Sequence, residues 1–354
     1  MPLISKRRLQ ATSSYAALND GRSAISMSEL YPLLMSPLFD PRPWGSVDLA
    51  PIYPDKKFKE KIGESWLTGD HCKVANGPFT GRTLAQLSEQ FGPELVGEAA
   101  RDPKRFPLLL KFLFPHEKLS VQVHPDDECA QRVGQPWGKT ECWYVAHAQP
   151  GAQIALGLKP GVTCEQLEQA IQEHHAEELL NWVDIHRGEL IYVAGGTVHT
   201  LGPGSVLVET QQQSDTTYRL YDYGRPRELH LKEGLAAVKE VHGSGKVVRP
   251  SANGSGQEQL VAAPYFVVEK FVLRDAKKFS TADESGVRSA QIIVGLEGGG
   301  VVEALGSQPV TFTKGEAVVI PAGMWNFEVR PQWNVEFLMA HVPGKPLPEP
   351  VTAM

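Results

Sequence analysis

The sequence predicts a mainly β protein built as two jelly-roll barrels with a few short helices, and three observations carry that expectation. Across 354 residues there are 33 glycines and 27 prolines, a density of turn formers that favours many short strands over bundled helices. One segment recurs without gaps: Gly188-Glu189-Leu190-Ile191-Tyr192-Val193-Ala194-Gly195-Gly196-Thr197-Val198-His199 aligns with Gly315-Glu316-Ala317-Val318-Val319-Ile320-Pro321-Ala322-Gly323-Met324-Trp325-Asn326. Both copies read turn glycine, acid, apolar strand, glycine corner and new strand, as equivalent hairpins in two barrels should. Helix signals, by contrast, are confined to three short stretches.

The elements follow in order. Residues 27–82 mix proline, glycine and isolated aromatics with little periodicity, so short strands and loops are expected. Thr83-Leu84-Ala85-Gln86 is a capping box that opens a helix ending before Gly92-Pro93. Phe106 to Phe114 is nearly all apolar and reads as a buried strand. A second capping box, Thr163 to Gln166, opens a helix through Leu167, Ile171 and Leu179, and a third helix holds Leu231, Leu235 and Val238. Ser244 to Gln257 is rich in serine and glycine, and Tyr265 to Val342 reads as strands throughout. The expected organisation is a disordered extension over 1–26, a catalytic barrel with helical segments over 27–243, a linker over 244–257 and a second barrel over 258–354.

Composition narrows the function classes. A net charge of −6 argues against nucleic acid as a main partner, while leaving room for a local basic pocket. No stretch approaches the roughly 18 apolar residues a membrane helix needs. The four cysteines, Cys72, Cys129, Cys142 and Cys164, show no CxxC spacing, which suits a reducing cytoplasm without disulfides.

The candidate chemistry sits in three short motifs. Leu119-Ser120-Val121-Gln122-Val123-His124 alternates strictly, so Ser120, Gln122 and His124 share one strand face before Pro125-Asp126-Asp127 ends the strand. Lys139-Thr140-Glu141 has the same spacing and puts Lys139 and Glu141 together. His199 follows the glycine corner of the repeat, where the second copy carries Asn326; only the first barrel keeps an imidazole there. Together these motifs offer two imidazoles, one carboxylate and one amide oxygen. That donor set suits zinc, and manganese, iron or cobalt are compatible with it. A further alternation from Val208 to Arg219 places Gln211, Gln213, Asp215 and Arg219 on one face if the strand is continuous.

The repeat resembles the second cupin motif, which makes the barrels cupin-type jelly rolls. Leu119 to Asp127, Gly138-Lys139-Thr140-Glu141 and Gly195-Gly196-Thr197-Val198-His199 resemble the metal motifs of type I mannose-6-phosphate isomerases, and similarity runs from Pro41-Arg42-Pro43-Trp44-Gly45 to the end of the chain. The resemblance implies zinc held by Gln122, His124, Glu141 and His199. It implies substrate contacts at Ser120, Lys139 and Arg219, catalytic roles for Arg219, Lys139 and Asp215, and added charge from Arg225. Long members of that family carry His where this chain has Gly138, and they insert a helical domain, for which this chain has room only for the one helix after Thr163; the chain is similar to the short bacterial form.

The implied reaction interconverts mannose 6-phosphate and fructose 6-phosphate through a cis-enediol, with Lys139, Asp215 and a metal-bound water as candidate proton carriers. The implied partner is a small sugar phosphate, and the implied assembly a monomer or weak homodimer. Two rivals stand beside it: a metal-dependent cupin oxygenase, against which Gln122 counts, and a non-catalytic sugar-binding cupin.

Overall fold

The computed structural model describes residues 30–249 and 256–354; the expected extension over 1–26 and the middle of the expected linker, 250–255, lie outside the described residues. Antiparallel strands make three sheets. In the first barrel an eight-stranded sheet runs Leu38–Ser46, Ile62–Trp66, Leu108–Leu113, Ser205–Gln212, Glu141–Ala148, Leu190–Val193, Gly245–Val247 and Thr352–Ala353. It faces a five-stranded sheet of Tyr218–Tyr221, Val121–Val123, His199–Leu201, Gln153–Leu158 and Leu180–Asp184. The second barrel is one curled sheet whose spine is Val267–Leu273, Asn326–His341, Gln291–Ala304 and Ala317–Ile320. Non-consecutive neighbours, such as Leu108–Leu113 beside Ser205–Gln212, give the crossing connections of a jelly roll.

The apolar runs of these strands are buried on both faces, which is why they do not alternate with polar residues. Trp143, Val145, Ile191, Val193 and Leu207 fill the first barrel, while Cys142, Tyr144, Leu190, Tyr192, Val206 and Val208 on the same strands join the core between the barrels. The second barrel divides in the same way, with Ile293, Val318, Phe337 and Met339 inside and Ile292, Val319, Leu338 and Ala340 facing its partner. Side chains alternate across a strand, so one sheet serves two cores.

The strands of the repeat align, while the corner between them differs, since the second copy makes a 3-10 turn at Ala322–Met324. Leu190–Val193 and Ala317–Ile320 are the aligned strands, and each following strand opens at an aligned residue, His199 or Asn326. Gly188 and Gly315 both turn at positive φ, 90° and 83°. The barrels also exchange strands. Leu33–Ser36 extends the second barrel's sheet through the register Leu33↔Val319, and Thr352–Ala353 returns to pair with Gly245–Val247 of the first. Tyr53 Oη donates to Gly315 O at 2.6 Å and stands 3.0 Å from Ser65 Oγ, stitching the two together.

Both capping boxes form, with Thr83 over Leu84–Phe91 and Thr163 over Cys164–Gln172, and the third helix is Leu231–Ala237. The second helix stops short of the expected Leu179; a separate 3-10 turn, Ala176–Leu179, follows it, because His174 adopts φ 64° and breaks the run. Two helices were not predicted: the single turn Pro93–Val96, and Asp127–Arg132, capped when the Asp126 carboxylate accepts from Cys129 N. All four cysteines are free. Among the described residues no helix is long and apolar enough to cross a membrane.

Candidate metal centre and active site

Three loops meet at one backbone segment. A Cβ on Gly138 would lie 2.4 Å from the Asp126 carbonyl carbon, and one on Gly195 would lie 2.6 Å from Asp126 Cα, so only glycine allows either approach. Gly196 N donates to His124 O at 2.7 Å and Lys139 N to Pro125 O at 2.9 Å. These contacts bring the three sequence motifs to one end of the first barrel. Strand register does the rest: His199 is paired with Gln122 and Gln122 with Arg219, a row across three strands, while Glu141 stands on the facing sheet between Val193 and Gln211.

His124, Glu141 and His199 are buried, with their ligand atoms within 4.8 Å of one another. His124 Nε2 is 3.6 Å from Glu141 Oε2, and His199 Nε2 is 3.5 Å from Glu141 Oε1. His124 Nδ1 lies 2.9 Å from Thr216 O and His199 Nδ1 2.9 Å from Thr197 O. A carbonyl only accepts, so each Nδ1 carries the proton and each neutral ring turns a bare Nε2 inward. Burial, reinforced by the nearby Lys139 charge, holds His124 well below its usual pKa; burial likewise brings His199 down to about 4. Burial first, and the charge of Glu209 second, push Glu141 up.

This group fits a divalent cation. Neither buried Glu141 oxygen has a well-formed hydrogen bond, although Lys139 Nζ is 3.0 Å from Oε2. A buried carboxylate with no well-formed hydrogen bond, facing two imidazole nitrogens that each offer a lone pair, is a donor set that a divalent cation can use. Gln122 Nε2 lies 3.2 Å from His199 Nε2, with Ser120 Oγ donating to Gln122 Oε1 at 3.4 Å. To act as a ligand Gln122 must turn its amide over, bringing the oxygen inward.

The cluster borders a cavity of about 450 Å³ lined by Arg42, Lys111, Lys139, Arg219 and Arg227 against three carboxylates, Glu64, Glu209 and Asp215. Similarity to known proteins identifies the family. The model of the phosphomannose isomerase type I catalytic domain matches residues 44–136. A mannose-6-phosphate isomerase of Bacillus subtilis is 34% identical over 325 residues, spanning 88% of this chain and 99% of its own length. The chain belongs to the type I mannose-6-phosphate isomerase family. It is an isomerase, which sets aside the oxygenase and the non-catalytic sugar binder. A second member, from Streptococcus mutans, is 31% identical over 88% of this chain and 98% of its own. The crystal structure of the mannose 6-phosphate isomerase from Bacillus subtilis superposes with a TM-score of 0.77 at 31% identity, covering 88% of this chain and 99% of that one. A zinc-bound mannose 6-phosphate isomerase shares the fold with a TM-score of 0.70 at 16% identity, over 88% and 99% of the two chains.

Within this family member the predicted site residues are placed as follows. Ser120, Gln122, Lys139, Asp215 and Arg219 line the cavity, with His124, Glu141 and His199 beyond Gln122 and Lys139. The strand from Val208 to Arg219, on whose continuity the shared face of Gln211, Gln213, Asp215 and Arg219 depended, is broken. It ends at Gln212 and restarts at Tyr218, so Gln213 faces a different cavity while Asp215 and Arg219 face this one. Nor do Asp215 and Arg219 pair among the described residues: Asp215 Oδ1 lies 4.0 Å from Lys111 Nζ, and Arg219 Nη1 donates to Glu228 O at 2.7 Å. Arg225 stands off the cavity, bound to Asp222 and Glu117 at 3.2 and 3.3 Å, and Arg227 takes its place in the wall.

Sequence reasoning missed a buried charge network. Lys111 Nζ lies 3.1 Å from Glu209 Oε1 and 3.3 Å from Glu64 Oε2; Trp143 Nε1 donates to Glu209 Oε2 at 2.9 Å. Arg42 Nε donates to Glu64 at 3.1 Å. Against the cost of burial, Glu209 and Glu64 keep Lys111 charged, and Lys111 and Arg42 hold Glu64 down to about 2. A signal existed. Lys111, Glu64 and Glu209 are each the only charge in a strand that is otherwise apolar or neutral, and such residues are almost never fully buried unless paired.

Proposed function

We propose that this chain interconverts mannose 6-phosphate and fructose 6-phosphate, using one zinc ion held by Gln122, His124, Glu141 and His199. The observation that carries the reading is the juxtaposition of two inward, unprotonated imidazole nitrogens and an unsatisfied carboxylate with a cavity whose wall has more cations than anions. Such a wall suits a phosphorylated sugar. The family members named above are called mannose-6-phosphate isomerases, which supports the same substrate.

When bound, zinc supplies Lewis-acid stabilisation of charge developing on substrate oxygens. The protein's own groups do the rest. Arg219 has one hydrogen bond from Nη1 and a buried, unpartnered Nε, so it retains donors for an anionic oxygen of substrate or enediolate. Ser120 adds a hydroxyl at the cavity wall. Lys111, held protonated by Glu64 and Glu209, contributes positive charge and does not act as a base. Lys139 and Asp215 are the side chains proposed to move protons, because both open onto the cavity where a sugar would bind. Leu113, Leu119, Trp143 and Leu201 give that cavity an apolar border that limits water around the enediol.

The deciding measurement is a coupled assay of the purified protein with mannose 6-phosphate, before and after exhaustive chelation, with metal content determined in parallel. Turnover should vanish with the metal and return on adding zinc. Chelator-insensitive turnover would remove the metal from the reading, and absence of turnover in the zinc-loaded protein would remove the substrate.

A further inference from the structure

The segment 138–140, which leads into Glu141, is not a strand, yet each of its amides has a named acceptor. Lys139 N donates to Pro125 O at 2.9 Å, Thr140 N to Gln212 Oε1 at 2.8 Å, and Gly138 N to Asp127 Oδ1 at 2.8 Å. Gln212 Nε2 also donates to Asp127 Oδ1, at 3.1 Å, so the same carboxylate oxygen holds two of these three attachments directly or through one side chain. The other oxygen, Oδ2, receives Arg101 Nη1 at 3.0 Å and Tyr265 Oη at 3.2 Å. Tyr265 comes from the second barrel. Burial works against the Asp127 charge, but the Gly138 amide, Gln212 and Arg101 outweigh it and keep the carboxylate ionised.

Lys139 is what this scaffold presents. Its side chain is buried beside the proposed metal ligands and lines the cavity in which a sugar would bind. A long, flexible side chain keeps such a position only if its backbone is fixed, since a shift of about 1 Å at a reacting group is costly. We propose that Asp127 is a positioning residue for Lys139, and that Tyr265 orients Asp127, so the barrel without an imidazole at Asn326 sets the geometry of the site in the other. The proposal rests on the reading that Lys139 takes part in the isomerisation. Tyr265 borders a separate cavity of about 510 Å³, lined also by Asp127, Trp137 and Gln212, and is not in the wall of the cavity beside the metal cluster.

The test uses full-length, zinc-loaded protein carrying Tyr265→Phe, Asp127→Asn, and both. Tyr265→Phe removes one hydroxyl and should lower kcat about fivefold with KM within about twofold, zinc content unchanged. Asp127→Asn should lower kcat further, by about tenfold or more, because its amide cannot accept on both oxygens. The double variant should lose no more than Asp127→Asn alone, since both act through one carboxylate. Wild-type kcat in Tyr265→Phe overturns the relay, as does a double variant whose losses multiply. If Asp127→Asn fails to fold, Tyr265→Phe decides alone, together with faster hydrogen exchange of the peptide covering 138–140; unchanged exchange overturns the proposal. Failure of the underlying reading is distinguishable, because then wild type itself shows no turnover or Lys139→Ala retains it in full.

Discussion

At the scale of single residues, the centre sets a buried carboxylate with no well-formed hydrogen bond against two inward imidazole nitrogens. His199→Ala should lose both bound zinc and turnover, because the remaining ring, carboxylate and amide no longer close a four-donor set. Arg219→Ala should keep zinc and lose about a hundredfold or more in kcat, because its donors serve substrate charge rather than the metal. Metal analysis beside the coupled assay separates the two; normal turnover in Arg219→Ala would end the role given to it. The buried network makes a pH statement as well. Glu64 is held at about 2 against an ordinary value of 4.5. A depressed carboxylate stabilises fully above the unfolded value and loses that contribution as pH falls through the folded one. The contribution is about 3 kcal/mol by that difference. The urea midpoints of wild type and Glu64→Gln should therefore differ most above about pH 5 and converge towards pH 2; a constant gap would contradict it.

At the scale of elements, the aligned hairpins behave differently although each opens on the same Gly-Glu pair. A Cβ on Gly188 would meet nothing within 4 Å, whereas one on Gly315 would lie 2.6 Å from the Tyr53 ring that pins the barrels together. Both sit at positive φ. Gly188→Ala should thus cost about 1–2 kcal/mol from backbone strain alone, and Gly315→Ala clearly more, because Tyr53 must also move. Equilibrium unfolding of the two variants checks the order; equal losses would mean that Tyr53 yields freely. Helices at this scale were legible where local chemistry specifies them, as at Thr83 and Thr163, whose capping boxes form. The break between Gln212 and Tyr218 was not. Every residue from Glu209 to Thr217 is polar, so no change of pattern marks where the strand stops, and the bend follows a tertiary contact, Trp137 Nε1 donating to Gln213 O.

At the scale of the whole molecule, the largest core belongs to neither barrel. Leu33, Met35, Tyr53, Phe112, Tyr144 and Tyr192 pack with Phe266, Ile292, Val319 and Leu338, and each barrel lends a strand to the other's sheet. Unfolding one barrel would expose this shared core and leave an unpaired strand edge. We therefore expect one cooperative thermal transition, with far-UV and near-UV circular dichroism melting together. Two separated transitions would show that the exchanged strands contribute little.

The sequence by itself determined the strand-rich architecture, the duplication, and the order of the motifs that carry His124, Glu141 and His199. Glycine spacing, capping chemistry and side-chain alternation act over a few residues and so are written locally. Tertiary structure alone decided that Lys111, Glu64 and Glu209 form one buried network, that Arg227 rather than Arg225 lines the cavity, and that Tyr265 reaches Asp127 across 138 positions of chain. Pairing between distant charges depends on sheet register and on how the two barrels dock. Neither is encoded by spacing within any one segment.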